Sequence, residues 1–255
     1  MNNDNRNKGA AMVIGGSGGL GKAICQVLAK EWEGLFFTYN RNKNAAETLK
    51  QELSPLCPVD YCAMDVTDID SIKRGFTQAS EQFDTIGTLI FASGANIEQP
   101  YVADILQDDW DNVFNIELSG FTRLVRQIIP IFRSQGFGSL VSIVSFAPYH
   151  FPPGDALSAV PKAGIEVLCR AIAKEEGRNG IRANSVAPGI INAGLGNVFQ
   201  DTLFSPEIWQ KQCKRVPLKR FGEADEIAHT AAFLASNKSA YITGQTIIVD
   251  GGLSL

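Results

Sequence analysis

Two stretches of this 255-residue chain carry residues spaced for chemistry. In the first, Gly15-Gly16-Ser17-Gly18-Gly19-Leu20-Gly21 follows a short apolar run and opens a helical pattern. Glycines permit a tight turn and let backbone approach a pyrophosphate, and a helix N-terminus offers N–H groups and a partial positive charge. With a strand before it and a helix after it, this turn predicts a dinucleotide site; the plainer reading is a flexible turn. In the second stretch, Ser145, Tyr149, His150, Ser158 and Lys162 follow one another closely. Lys162 lies one helical turn after Ser158, so the two share a face. That spacing admits a serine nucleophile activated by lysine. The plainer reading makes Ser158 a helix N-cap three residues ahead of Pro161, because proline is tolerated only in a helix's first turn. Tyr149 and His150 are acid–base candidates in the intervening loop.

These residues need a scaffold, and the apolar periodicity supplies one. Strands are predicted over Ala10–Ile14, Leu35–Tyr39, Val59–Met64, Thr88–Ala92, Leu140–Ser145, Ile181–Ala187 and Thr246–Val249. Helices are predicted between them over Leu20–Trp32, Asn44–Leu53, Ile69–Phe83, Asp108–Arg133 with a break near Pro130, Ala159–Glu176, Pro206–Cys213 and Glu223–Ser236. Strict alternation implies an α/β fold, a doubly wound parallel sheet of about seven strands with helices on both faces. Ligands of such sheets bind at the carboxyl ends of the strands. Residues 1–9 read as a polar, disordered tail and 10–255 as a single Rossmann-type domain.

Composition narrows the function. With 45% hydrophobic and 20% charged residues the chain is globular, and a net charge of -4 argues against nucleic acid as a partner. No apolar run is long enough for a bilayer and the polar N-terminus lacks a signal-peptide core, which predicts a cytoplasmic protein without a membrane partner. Five cysteines without C-x-x-C spacing and two histidines predict no metal site, so difficult chemistry needs an organic cofactor.

The spacing Gly15-x-x-x-Gly19-x-Gly21 resembles the turn of the short-chain dehydrogenase/reductase family, and the likeness covers nearly the whole chain. Asp65-Val66, Asn115, Ser145, Lys162 and Pro188-Gly189 fall in family order. The tail, from Pro217-Leu218-Lys219-Arg220-Phe221-Gly222 through Ile242-Thr243-Gly244-Gln245 to Val249-Asp250-Gly251-Gly252, is similar to the 3-oxoacyl-carrier-protein reductase branch. The resemblance implies that Asp65 and Val66 contact adenine, that Ser93, Gly94, Pro188, Gly189 and Ile191 line the cofactor, and that Lys162 holds the nicotinamide ribose. It also implies that Ser145 orients a carbonyl and that Asn115 supports a proton-relay water.

The end of the second strand selects the cofactor. An acidic residue there would accept from the ribose 2′-hydroxyl of NAD. The chain has Tyr39-Asn40-Arg41-Asn42-Lys43 instead, which favours NADP(H) with Asn40 and Arg41 on the 2′-phosphate. In the alternative reading Arg41 and Lys43 only solvate the next helix.

The family's proton-donating tyrosine falls on Ser158, and no shift of alignment recovers it. An aliphatic hydroxyl is a far poorer acid than a phenol. Tyr149, His150 or a water held by Ser158, Lys162 and Asn115 are the replacement donors considered. Further departures are Phe91-Ala92-Ser93-Gly94 for Asn-Asn-Ala-Gly, Ala193 for a threonine, and Ile14 for a threonine. Apolar residues between Leu195 and Trp209 (Val198, Phe199, Leu203, Phe204, Ile208, Trp209) could cover an acyl chain. Arg123, Arg126, Arg133, Arg178 and Arg182 could meet an acidic carrier protein or simply be solvated. The expectation is an NADPH-dependent reductase of a small-molecule or carrier-bound 3-oxoacyl substrate, working as a homotetramer. The alternatives are a catalytically silent NADP-binding subunit and a non-redox dehydratase or isomerase.

Overall fold

The computed structural model describes residues 7–95, 98, 100–194, 196 and 205–255. Seven strands, β1 (Asn7–Ile14), β2 (Trp32–Tyr39), β3 (Val59–Ala63), β4 (Ile86–Phe91), β5 (Gly138–Ile143), β6 (Ile181–Pro188) and β7 (Thr246–Val249), form one sheet in the order β3-β2-β1-β4-β5-β6-β7. Every pairing is parallel. The order reverses between β1 and β4, which opens the crevice where a doubly wound sheet takes its ligand.

Alternation along the strands feeds two cores. Ala11, Val13, Leu35 and Phe37 pack on one face under α1 (Gly19–Glu31), α2 (Lys43–Leu53) and a later helix, Ala224–Ala235. Met12, Ile14, Phe36 and Phe91 pack on the other under α3 (Ile69–Gln82) and two helices that carry the site. Each such fully buried side chain contributes about 1.5–3 kcal/mol. Burial on both faces is why these strands read as nearly continuous apolar runs.

Three departures from the sequence expectation bear on the site. β1 begins at Asn7, inside the stretch read as tail, because Asn7 pairs with Trp32 and the Gly9 amide donates to Glu33 Oε2 at 2.6 Å. The long helix expected over 108–133 is divided at 115–119 rather than at Pro130. α4 (Gln107–Phe114) and α5 (Gly120–Gln135) flank a π-helical segment, Asn115–Ser119, closed by the Gly120 amide donating to the Asn115 carbonyl. After a one-turn α6 (Ala147–His150), α7 starts at Ala156 and runs to Glu176. Its N-cap is therefore Asp155, Ser158 is its third residue, and Pro161 lies in its second turn. The expected capping role of Ser158 does not hold. The remaining α-helices among the described residues are α8 (Pro206–Arg215) and α9 (Ala224–Ala235). Among the described residues no helix is long and apolar enough to cross a membrane.

Candidate active site

β1 ends in the glycine turn and α1 leaves it. Gly15 has φ +81°, and a Cβ there would stand 2.9 Å from the backbone of Ser93, so the turn and the end of β4 touch without room for a side chain. Gly21, in the first turn of α1, is closer still: a Cβ would lie 2.1 Å from the Gly15 carbonyl oxygen. The Gly15 amide donates to Thr38 Oγ1 at 3.1 Å, tying the turn to β2. Gly18 is the N-cap of α1 and supplies no side-chain cap; its own N–H donates to the Gly15 carbonyl at 3.1 Å, which leaves the first-turn N–H of exposed Gly19 offered to an anion. Ser17 and Leu20 are half-buried beside them, Leu20 against the core. Beyond β6, Pro188 and Gly189 bond to Phe146 and Val249, buried Ile191 bridges Gly222, and Gly194 of the same loop lies on Gly19.

The far end of this crevice holds charge. Asn40 and Arg41 are exposed at the end of β2 with no carboxylate at that position. Lys43 is taken up in an ion pair with Glu47 at 3.5 Å. Asp65, just after β3, accepts from the Thr67 amide at 2.8 Å and hydroxyl at 2.7 Å. Those bonds hold its carboxyl below the ordinary range, with smaller pulls from the charges of Arg41 and Arg123. Val66 is buried and its carbonyl accepts from Arg123 at 3.2 Å.

The catalytic side gathers at the end of β5. Lys162, 8% exposed, donates from Nζ to Glu117 Oε2 at 2.6 Å and to the Ile143 carbonyl at 3.4 Å. An ammonium has three N–H donors, so these two bonds leave one for a ligand. Glu117 is itself buried, and its Oε1 accepts from the Ala95 amide at 2.8 Å, beside Ser93 and Gly94. Sequence reading gave Asn115 a proton-relay water held together with Ser158 and Lys162, and named no partner for the Lys162 ammonium. The π segment leaves Asn115 exposed, its Oδ1 accepting from Arg123 at 2.7 Å, and turns Glu117 two residues later toward Lys162. A charged residue expected to be solvated and a one-residue widening of the helix concealed this partner in the sequence. Ser145 is half-buried just past β5, its Oγ accepting from the Ala147 amide at 3.1 Å.

The expected replacement donors are engaged with neighbouring side chains. Tyr149 donates its hydroxyl to Glu166 Oε2, and burial with that carboxylate pushes its phenol up, away from use as an acid near neutrality. His150 stacks on Phe146, ring centroids 5.6 Å apart. Ser158 is half-buried one turn before Lys162, its amide donating to the backbone carbonyl of Asp155 at 3.2 Å, and Asp155, a residue the sequence reading did not single out, has a buried carboxyl. Burial raises that carboxyl to about 7.

Of the arginines offered to a carrier, three are committed within the chain. Arg123 holds Asn115, Arg133 pairs with Glu176, and Arg182 donates to the carbonyls of Leu234, Ala235 and Ser236 at the end of α9. In the apolar segment Leu195–Trp209, Leu195, Val198, Phe199, Leu203 and Phe204 lie outside the described residues. Ile208 and Trp209 lie on α8, Trp209 edge-on to Phe221 at 6.0 Å. No group of three His, Cys, Asp or Glu side chains among the described residues could hold a metal.

A glycine turn at a sheet's switch point and a buried lysine at the end of β5 place the protein among the doubly wound dinucleotide-binding folds. A family model described as enoyl-(acyl carrier protein) reductase matches residues 15–254. The chain is 31% identical over 245 residues to the 3-oxoacyl-[acyl-carrier-protein] reductase of Staphylococcus epidermidis, covering 96% of this chain and 98% of that one. It is 30% identical over 242 residues to the reductase of the same name from Thermotoga maritima, covering 95% and 96%. Among solved structures, levodione reductase superposes with a TM-score of 0.91 at 29% identity, covering 96% and 97%. The chain belongs to the short-chain dehydrogenase/reductase family.

Proposed function

We propose that the protein is an NADPH-dependent reductase of a 3-oxoacyl thioester or related ketone. The observation that carries this reading is Lys162, buried at the end of β5 with one N–H to spare, in a fold whose first helix leaves an uncapped glycine turn. The glycine turn, too tight for a Cβ at Gly15, fits a pyrophosphate, and an acid-free β2 end with Arg41 fits a 2′-phosphate. Ser17, Gly18, Gly19 and Leu20 would hold the pyrophosphate, Asn40 and Arg41 the 2′-phosphate, Asp65 and Val66 the adenine. Lys162 would hold the nicotinamide ribose, and Ser93, Gly94, Pro188, Gly189 and Ile191 the walls. Bound NADPH supplies the hydride. The chain's own part is to orient the carbonyl oxygen through Ser145 and to deliver a proton to it. The names of the relatives favour a carrier-bound acyl substrate, and the same reading makes the protein a cytoplasmic homotetramer.

A second reading has a specific observation in its favour. Ser158 stands where the family has its tyrosine, and the Lys162 ammonium is neutralised by Glu117. Both features suit a silent subunit that binds NADP without turnover. NADPH oxidation with acetoacetyl thioesters of coenzyme A and of acyl carrier protein, beside NADPH binding, separates the two. The reductase oxidises NADPH with one of them; the silent subunit binds NADPH and stays inert.

A further inference from the structure

The arginines expected to meet an acidic carrier fail on position as well as on partners. Arg133 lies in the last turn of α5, just ahead of β5, and Arg178 and Arg182 flank the start of β6. All three therefore stand at the amino edge of a parallel sheet, opposite the crevice. The carboxyl edge carries a different set of cations. Lys211, Lys214, Arg215, Lys219 and Arg220 fall within ten residues, no acid occurs from 208 to 222, and the chain as a whole is net -4. All five are exposed. Arg220 pairs with Glu226 at 2.6 Å, and among the described residues no carboxylate pairs with the other four.

This segment reaches the site. Gly222 bridges Ile191, and its amide donates to the Ile190 carbonyl at 2.9 Å, directly after β6. Buried Val216 shares one apolar cluster with Phe146, the residue after Ser145. The turn between α8 and that cluster is held in one shape: Lys219 takes φ +58°, with its amide on the Val216 carbonyl at 2.9 Å and its Nζ on the Lys214 carbonyl at 2.7 Å. Leu218 is left 64% exposed among the cations. The dipole of α8 accounts for Lys214 and Arg215 in its last turn, but for neither Lys211 nor bare Leu218.

We propose that the end of α8 and the turn after it form the docking surface for an acidic protein that carries the acyl substrate. The assignment rests on the reductase reading and adds a surface to it. Four cations without carboxylate partners complement the acids of such a carrier, and Leu218 gives it an apolar anchor among them. The net negative charge of the rest of the chain repels the same partner, so encounter is steered to this face. A carrier seated here holds its tethered acyl chain at the rim made by Val216 and Phe146, next to Ser145. Because these charges are exposed, salt screens the attraction over about 8 Å at physiological strength.

The test uses the full chain, with fluorescently labelled holo-acyl carrier protein as the probe. Anisotropy, which needs no turnover, should show binding that weakens about tenfold between about 50 and about 300 mM NaCl. The triple variant Lys211→Glu/Lys214→Glu/Arg215→Glu should weaken it about 10- to 100-fold and flatten the salt dependence. The corresponding triple Gln variant should lose less, with thermal unfolding as in wild type. In turnover, the Glu variant should raise KM for the acetoacetyl thioester of the carrier by the same factor. Its kcat, its KM for acetoacetyl-N-acetylcysteamine and its NADPH binding should not change. Carrier binding that survives the charge reversal overturns the docking surface. So does an equal rise in KM for acetoacetyl-coenzyme A, which would assign the patch to phosphates, or wild-type binding of duplex DNA as tight as that of the carrier. Turnover of the carrier thioester that ignores the reversal leaves the reductase reading standing without this surface. Salt-sensitive carrier binding lost on reversal, in a wild-type protein that oxidises no NADPH, supports the surface and overturns the reductase reading.

Discussion

Lys162 Nζ stands 2.6 Å from Glu117 Oε2, and both side chains are nearly closed off from solvent. One partner comes from α7 and the other from the π segment, so this pair joins two neighbouring helices of one layer next to the end of β5. Its desolvation is offset only while both charges are present. Glu117→Gln or Lys162→Met should each destabilise the protein by about 3–5 kcal/mol, because each strands a buried charge. The double variant Glu117→Leu/Lys162→Met should recover most of that loss. Urea unfolding of the four proteins checks the cycle; single variants within 1 kcal/mol of wild type would show that the pair is not closed off from water.

Asp155 gives the protein a pH-dependent stability of known sign. Its folded value of about 7 exceeds the ordinary 3.8, so between them the folded protein binds a proton that the unfolded chain has released. Stability from this group is greatest below about pH 4, falls as pH rises, and levels off above about 7. Asp155→Asn removes the dependence. The variant should gain on wild type by up to about 4 kcal/mol between pH 4 and pH 8, measured by thermal unfolding across pH. A gain in stability together with a loss of turnover would mark a strained functional group rather than a structural one.

Tyr149 serves Glu166 in this structure. Glu166 is buried; Thr246 Oγ1 donates to its Oε2 at 3.2 Å, and its Oε1 has no hydrogen-bond partner among the described residues. Tyr149→Phe should therefore cost about 1–3 kcal/mol of stability by leaving the carboxylate with less support, and should leave kcat with a ketone unchanged. A large loss of kcat without a loss of stability would return Tyr149 to the chemistry.

Arg41 should set the choice of dinucleotide. Arg41→Ala should weaken NADPH binding about 10- to 100-fold, the worth of a charge-assisted hydrogen bond, and leave NADH binding as it was. Fluorescence titration with both cofactors reads the ratio directly.

Gly15 should tolerate no side chain. Gly15→Ala forces an L-residue to φ +81° and drives a Cβ into the Ser93 backbone. It should destabilise the fold by about 1–3 kcal/mol and abolish dinucleotide binding, whereas Ser17→Ala should do neither.

The sequence by itself determined the layers and the turn. Strands buried on both faces read as apolar runs, as in Leu35-Phe36-Phe37, and one-face helices such as Ile24–Leu28 read by period, because both signals are local. Glycine spacing was legible for the same reason: a backbone that must pass where no Cβ fits leaves only one residue type. What only the tertiary structure decided is which polar groups meet. The π segment leaves Asn115 exposed and brings Glu117 to Lys162, and an earlier start of α7 puts Asp155 rather than Ser158 at the helix cap. Such pairings depend on helix phase and on burial between distant segments, and neither is written in residue type or spacing.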